Sequence, residues 1–346
     1  MICNGASSSQ IVISGTGTSY SWNNNNPAIG FVASGNNTIP VFTGQNSGAT
    51  PTNGIVSITP AYTGSGVTCL GPLQQVTFTI NPTPIVIDPQ DIVVCNGTAT
   101  TAVNFTGTGT SYSWTNNTPS IGLAASGNGT IASFITSNNL SIPVIATITV
   151  TPDFTGGAAS CAGVSQTFTI TVNPTPIVND LADQVICNGT STTALAFTGT
   201  GTSYSWVNNT TSIGLGANGV GNISAFNGIN ISNSPITSTI TVTPVYTNAS
   251  LACNGATQTI GITVNPTPVV TDPQDIVVCN GTTTSTVNFI GTGTSYNWTN
   301  NNPLIGLAAA GSGNITAFNA INTGTTPIVA TLTVTPNFDG GNVNCQ

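Results

Sequence analysis

The feature that most constrains this chain is self-similarity at one long period. The motif Ser-Tyr-Ser-Trp or Ser-Tyr-Asn-Trp occurs at 19–22, 111–114, 203–206 and 295–298, which places Trp22, Trp114, Trp206 and Trp298 each 92 residues apart. Cys-Asn-Gly begins at Cys3, Cys95, Cys187 and Cys279, and Asn-Pro-Thr-Pro spans 81–84, 173–176 and 265–268, at the same period. A period this long exceeds that of a solenoid unit and suits a complete small domain. The reading is four repeats, 1–84, 85–176, 177–268 and 269–346, separated by two-proline joints that favour extended, stiff connections. The first repeat starts inside its first strand and the fourth stops at Gln346 before its last, so both read as truncated and the chain as a piece of a longer array. Strand donation between subunits is the alternative, although Met1–Gly5 is short for a donated strand.

Within the second repeat, Ile85–Cys95 alternates loosely and ends on the turn pair Asn96-Gly97. Short strands are expected at Thr101–Gly107, Thr110–Trp114, Ile121–Ala125 and Thr130–Phe134. The strongest lie at Pro143–Pro152, where Ile148 and Val150 oppose Thr147, Thr149 and Thr151, and at Gln166–Val172, where Phe168, Ile170 and Val172 oppose Thr167, Thr169 and Thr171. About seven short strands with turn chemistry and no helical periodicity predict an all-β tandem array of immunoglobulin-like sandwiches, the last lacking its final strand. The pairs Tyr20/Trp22, Tyr112/Trp114, Tyr204/Trp206 and Tyr296/Trp298 alternate in register and are expected as core anchors; burying a side chain of this size contributes roughly 2–3 kcal/mol.

Each repeat carries two cysteines 66 residues apart: Cys3 and Cys69, Cys95 and Cys161, Cys187 and Cys253, Cys279 and Cys345. The constant spacing predicts one disulfide inside each repeat, pinning the first strand to the start of the last at a shared pole, and an oxidising compartment. Closing such a loop stabilises by roughly 4 kcal/mol in the chain-entropy picture. Zinc is the competing use, disfavoured by the absence of histidine and of a CxxC pair.

Charge excludes several functions. The chain has no Lys, Arg or His, and its eight acidic residues are all Asp. Phosphate clamps, Schiff-base amines and imidazole bases are absent, so nucleic-acid binding and a polybasic membrane contact are excluded and an enzyme is not expected. No apolar run is long enough to insert into a membrane. With 38% hydrophobic residues the low charge does not imply disorder. Met1 is followed at once by repeat sequence, so a secretion signal would lie outside this stretch. Asp88 and Asp91, Asp180 and Asp183, and Asp272 and Asp275 follow the three joints. Asp153 and Asp339 lie in loops expected at the neighbouring pole. Carboxylates with Asn and carbonyl oxygens suit Ca²⁺, and Asp88, Asp91 and Asp153, like Asp272, Asp275 and Asp339, are candidates to converge on an interdomain ion. The plainer use of these residues is turn formation and solubility. Asn-x-Ser/Thr sequons such as Asn96, Asn188, Asn222, Asn280 and Asn314 are frequent but are expected by chance in so Asn- and Thr-rich a chain.

The segments DIVVCNGT, GTGTSYSWTNN, IGLAASGNG, ATITVTP and QTFTITVNPTP, taken together, resemble the PKD-like repeats of large Bacteroidota surface proteins. The resemblance implies an immunoglobulin-like sandwich in giant secreted proteins, often type IX secretion substrates and sometimes gliding adhesins. The chain departs from that pattern in placing Asn residues, not an acidic Gly turn, after Trp114, and it lacks the inter-sheet disulfide of antibody domains. The expected function is a structural stretch of an extracellular fibre, filament or adhesin stalk. Its expected partners are other copies or further repeats of the same protein. The alternative is a surface binding module for a carbohydrate, or for ice through the regular Thr rows, which twisted sandwich strands present poorly.

Overall fold

The computed structural model describes residues 1–346. It contains strands and four short 3-10 turns and no α-helix. The chain divides into two compact units, Met1–Pro174, carrying the first two repeats, and Thr175–Gln346, carrying the last two.

The second repeat shows how each sandwich is built. Its main sheet runs in the order Ile92–Cys95, Gln166–Asn173, Val144–Gly156, Ser111–Asn116, Ser126–Asn128. The first strand, Ile92–Cys95, lies parallel to the last, Gln166–Asn173, with Cys95 opposite Asn173; the other pairs are antiparallel. The opposing layer is thin. It consists of the antiparallel bridges Val86 to Gly107, Ala99 to Ile135 and Val103 to Ile131. The entering chain thus contributes Val86 to one layer and Ile92–Cys95 to the other, as a sandwich of the immunoglobulin kind requires. Between the layers lie Trp114, Ile121, Ile131, Ile148, Val150, Phe168 and Ile170, with Phe105 and Phe134 packed at the margin. The third repeat repeats this arrangement around Trp206, Ile240, Ile260 and Ile262. The first does so around Trp22, Ile29, Val56 and Ile80.

The central strand Val144–Gly156 continues past Pro152, where sequence placed its end. Proline has no N–H to donate, but no donor is needed at that point. The last strand is interrupted at 163–165, and Gly163 donates instead to the Pro152 carbonyl at 2.9 Å. Beyond the interruption the short strand Ala159–Ala162 pairs with Asp153–Gly156 and makes a tip hairpin. The strand expected at Ile121–Ala125 is not formed. A 3-10 turn occupies Pro119–Ile121, and the strand lies later, at Ser126–Asn128. The buried Asn116 side chain decides this: its Nδ2 donates to the Leu123 and Ala124 carbonyls, and its Oδ1 accepts from the Thr118 amide. Those bonds take the place of a ladder and turn Ile121 and Leu123 inward.

The fourth repeat keeps a sheet of Ala310–Ser312, Ser295–Asn300, Leu332–Gly340 and Val343–Cys345 and lacks a last strand. Its Ile276–Cys279 segment forms no strand, and Val277 is 95% exposed.

Candidate interface: the crosslinked joint between repeats

The aromatic residues are in the cores. Trp22, Trp114, Trp206 and Trp298 are all buried, Tyr20 is buried, and Tyr112, Tyr204 and Tyr296 are partly buried. Tyr112 packs against Phe105 with ring centroids 5.9 Å apart. Each Trp faces a glycine on the adjacent short strand. Trp114 is opposite Gly127, where a Cβ would come within 2.3 Å of the indole Cζ2; Gly35, Gly219 and Gly311 repeat the contact.

The cysteine pairing inside each repeat is overturned. Cys3 is bonded to Cys161 and Cys187 to Cys345, each across 158 residues, with Cα atoms 5.5 Å apart. Cys95 and Cys253 also lie in disulfides, while Cys69 and Cys279 are free and exposed. The expected pairs Cys3–Cys69, Cys95–Cys161, Cys187–Cys253 and Cys279–Cys345 therefore do not form. The reason is the parallel pairing of first and last strands. It sets Cys95 beside Asn173, at the exit of the last strand, whereas Cys161 belongs to the tip hairpin that precedes that strand. Twelve residues of extended chain separate Cys161 from Asn173, roughly 40 Å. A disulfide needs Cα atoms within about 7 Å. The two cysteines of one repeat thus sit at opposite poles of it, and Cys3, Cys161, Cys187 and Cys345 face the neighbouring repeat of their own unit.

The joint is built the same way in both units. In the first, Cys3 meets Cys161 of the next repeat's tip hairpin, and Asn81, at the end of the last strand, donates from Nδ2 to the carbonyls of Gly156 (3.1 Å) and Ala159 (3.3 Å). In the second, Cys187 meets Cys345 and Asn265 Nδ2 donates to the Gly340 carbonyl at 2.9 Å. The residue two before the first cysteine covers the tip turn. Met1 lies over Gly157 and Val185 over Gly341, so close that a Cβ on either glycine would fall within 3 Å of its side chain. In two Cys-Asn-Gly turns the Asn holds the proline joint: Asn4 Nδ2 donates to Thr83 Oγ1 (3.0 Å) and Asn188 Nδ2 to Thr267 Oγ1 (2.9 Å). Sequence reasoning missed this role of Asn. The 92-residue recurrence of Asn after each paired cysteine, and of Asn81 and Asn265 at the head of each joint, was the available signal.

The carboxylates do not gather. Asp91 Oδ1 accepts the Thr169 amide at 2.7 Å, and Asp183 accepts the Gly261 amide at 2.7 Å in the third repeat. The Thr169 amide holds the Asp91 carboxyl below its usual value. Thr169 pairs with Thr147, six residues along the central strand from Asp153, so Asp91 and Asp153 lie roughly 20 Å apart. Asp339 lies at the tip hairpin of its repeat, accepting from Asn344, while Asp272 follows the strand Val270–Thr271 and Asp275 lies in a segment that forms no strand. No three His, Cys, Asp or Glu side chains form a metal-holding group. The proposed triad of Asp88, Asp91 and Asp153 thus loses its third carboxylate. The outward Thr rows are present, with Thr147 opposite Thr169 and Thr149 opposite Thr167. No helix is long and apolar enough to cross a membrane.

Fold and joint together define a tandem array of immunoglobulin-like β-sandwiches, crosslinked between the two repeats of each unit. No protein-family model matches the chain, and no curated protein matches it in sequence. Among solved structures it is similar to mouse protocadherin-24 EC1-3, at 10% identity over 76% of this chain and 96% of that one, TM-score 0.32. It is similar to Drosophila N-cadherin EC1-4, at 11% identity over 90% and 85%, TM-score 0.28. It is similar also to Sidekick-1 immunoglobulin domains 1-5, at 12% identity over 92% and 72%, TM-score 0.30. Likenesses of this size say nothing about what the chain binds.

Proposed function

We propose that this chain is a tension-bearing stalk segment of an extracellular surface fibre or adhesin, and not an enzyme. One observation carries the reading: the disulfides run between repeats and so provide a covalent shortcut along the chain. From Cys3 the path crosses to Cys161, follows 161–187, and crosses again from Cys187 to Cys345. Only about 30 residues lie on it, so its fully extended length is roughly 110 Å, against roughly 1,200 Å for the uncrosslinked chain. Residues 161–173 of that path are already in, or between, extended strands, so it holds little slack. An array of this kind resists stretching even when individual sandwiches open. The crosslinks also support assembly in an oxidising, extracellular setting. The likeness of the repeat segments to PKD-like repeats supports a place among large Bacteroidota surface proteins exported by type IX secretion.

Single-molecule pulling on the two termini tests this. The oxidised chain is expected to show no release of length on the scale of a repeat. After reduction, force should release successive steps of up to roughly 300 Å, one per opened repeat. Repeat-sized steps from the oxidised chain would refute the stalk reading.

A further inference from the structure

The Cys-Asn-Gly turns hold a chemistry that the joint does not use. In an Asn-Gly pair the glycine amide nitrogen, with no Cβ beside it, reaches the Cγ of the preceding Asn more easily than in any other pair, so this is where side-chain amides are lost first. The chain has nine Asn-Gly pairs, and four of them are the turns that follow Cys3, Cys95, Cys187 and Cys279. The fold requires the pair at these turns. Gly5, Gly97, Gly189 and Gly281 have φ of 81°, 74°, 79° and 77°, the left-handed region that favours glycine. The Asn supplies Oδ1 to an amide 42 residues further on. Asn4, Asn96, Asn188 and Asn280 accept in this way from Asn46, Asn138, Asn230 and Asn322 at 2.9, 2.7, 2.9 and 2.9 Å. The glycine amide of each turn is held as well. Gly97 donates to the Thr136 carbonyl at 2.9 Å, and Gly5, Gly189 and Gly281 donate to the carbonyls of Gly44, Gly228 and Ala320 at 2.8 Å. In the second repeat the three-residue segment 136–138 thus grips both the nitrogen that would attack and the amide it would attack. The ring cannot close until the turn leaves that segment. Asn128-Gly129 is the contrast in the same repeat: Gly129 donates to the Tyr112 carbonyl at 2.8 Å, but the Asn128 side chain is exposed while Asn96 is half-buried.

We infer that the four Cys-Asn-Gly turns are latent modification sites: a closed repeat preserves these amides, and a repeat that opens loses them as ammonia. The stalk reading is not needed for it. Once the turn is detached, hydroxide removes the glycine amide proton and the nitrogen attacks Asn Cγ. An N–Cγ bond forms, the Cγ–Nδ2 bond breaks, and Nδ2 takes a proton from water and leaves as ammonia. Water then adds to either carbonyl of the cyclic imide and opens it to aspartate or to isoaspartate. In sum, one amide and one water become one carboxylic acid and one ammonia, with no oxidant or reductant. Isoaspartate routes the main chain through Cβ and lengthens it by one atom, so the turn no longer presents both of its bonds to segment 136–138. The lost ammonia makes the change irreversible, and a repeat that has opened stays marked.

The test divides the full chain into two portions, one folded and oxidised, the other reduced in denaturant, held in the same mildly alkaline buffer. Pepsin fragments, cut in acid where amide loss is slow, are read by mass spectrometry for conversion at each Asn, and isoaspartate is labelled with an isoaspartyl methyltransferase. Asn4, Asn96, Asn188 and Asn280 should convert at least about a hundredfold more slowly in the folded portion, because the reaction follows the opened population. Within that portion Asn128 should convert ahead of Asn96. After dilution and reoxidation of the denatured portion, molecules with isoaspartate at 188 should be absent from those that regain the Cys187–Cys345 bond. Rates within a few-fold of each other in the two portions, or no conversion in denaturant, would overturn the inference. So would Asn96 converting ahead of Asn128 in the folded chain, or isoaspartate at 188 in molecules with that bond restored.

Discussion

Glycine and tryptophan make a steric pair in every repeat. Gly127 is in extended strand conformation, which any residue adopts, so its requirement is the indole of Trp114 and not the backbone. Gly127→Ala is expected to destabilise the second repeat by about 1–3 kcal/mol, the usual cost of overpacking a filled core. Denaturant unfolding followed by Trp fluorescence checks it. Asp91 offers a pH signature. Its carboxyl is held below the usual value because the Thr169 amide donates to the charged form. A depressed folded-state value adds stability above the unfolded-state value, about 3.9, and that stability is lost as pH falls through the folded value. The stability gap between the parent chain and Asp91→Ala should therefore be present at pH 7 and close as pH falls below about 4. A gap unchanged down to pH 2 would show that the carboxylate is not the group at work.

At the scale of elements, one pentapeptide shows where propensity stops. Asp-Ile-Val-Val-Cys occurs at 91–95 and again at 275–279. In the second repeat Ile92–Cys95 is a strand, paired with Gln166–Asn173; in the fourth, with no last strand beside it, Ile276–Cys279 is not. The β-branched side chains are identical, so the ladder partner makes the difference. Hydrogen exchange should find the amides of 277–279 exchanging at least tenfold faster than those of 93–95. The Tyr-Trp strands and the Thr-alternating strands were legible because their period of two is strong and long. The Ile121–Ala125 strand was misread because a buried Asn116 side chain, and not a neighbouring strand, satisfies that loop's carbonyls.

For the whole molecule, the crosslinks matter more to the joints than to the sandwiches. Each sandwich has its own apolar core, and the disulfides at Cys3–Cys161 and Cys187–Cys345 fasten one sandwich to the next. The acids that follow the joint and the acid at the tip hairpin lie far apart on the sheet and form no three-carboxylate group. Melting by calorimetry with and without a chelator is expected to give the same Tm, and a drop of several degrees on chelation would restore an ion to the joint.

The sequence by itself determined the all-β architecture, the fourfold repetition and the aromatic positions, because each is written in local periodicity and in recurrence along the chain. Only the tertiary structure decided which cysteines meet. Constant spacing within a repeat reads equally as a bond inside it or between neighbours. The choice rests on whether the first strand runs parallel or antiparallel to the last, a long-range pairing that no local pattern records. Running parallel, it carries its cysteine to the far pole, out of reach of its repeat-mate and against the hairpin of the next repeat.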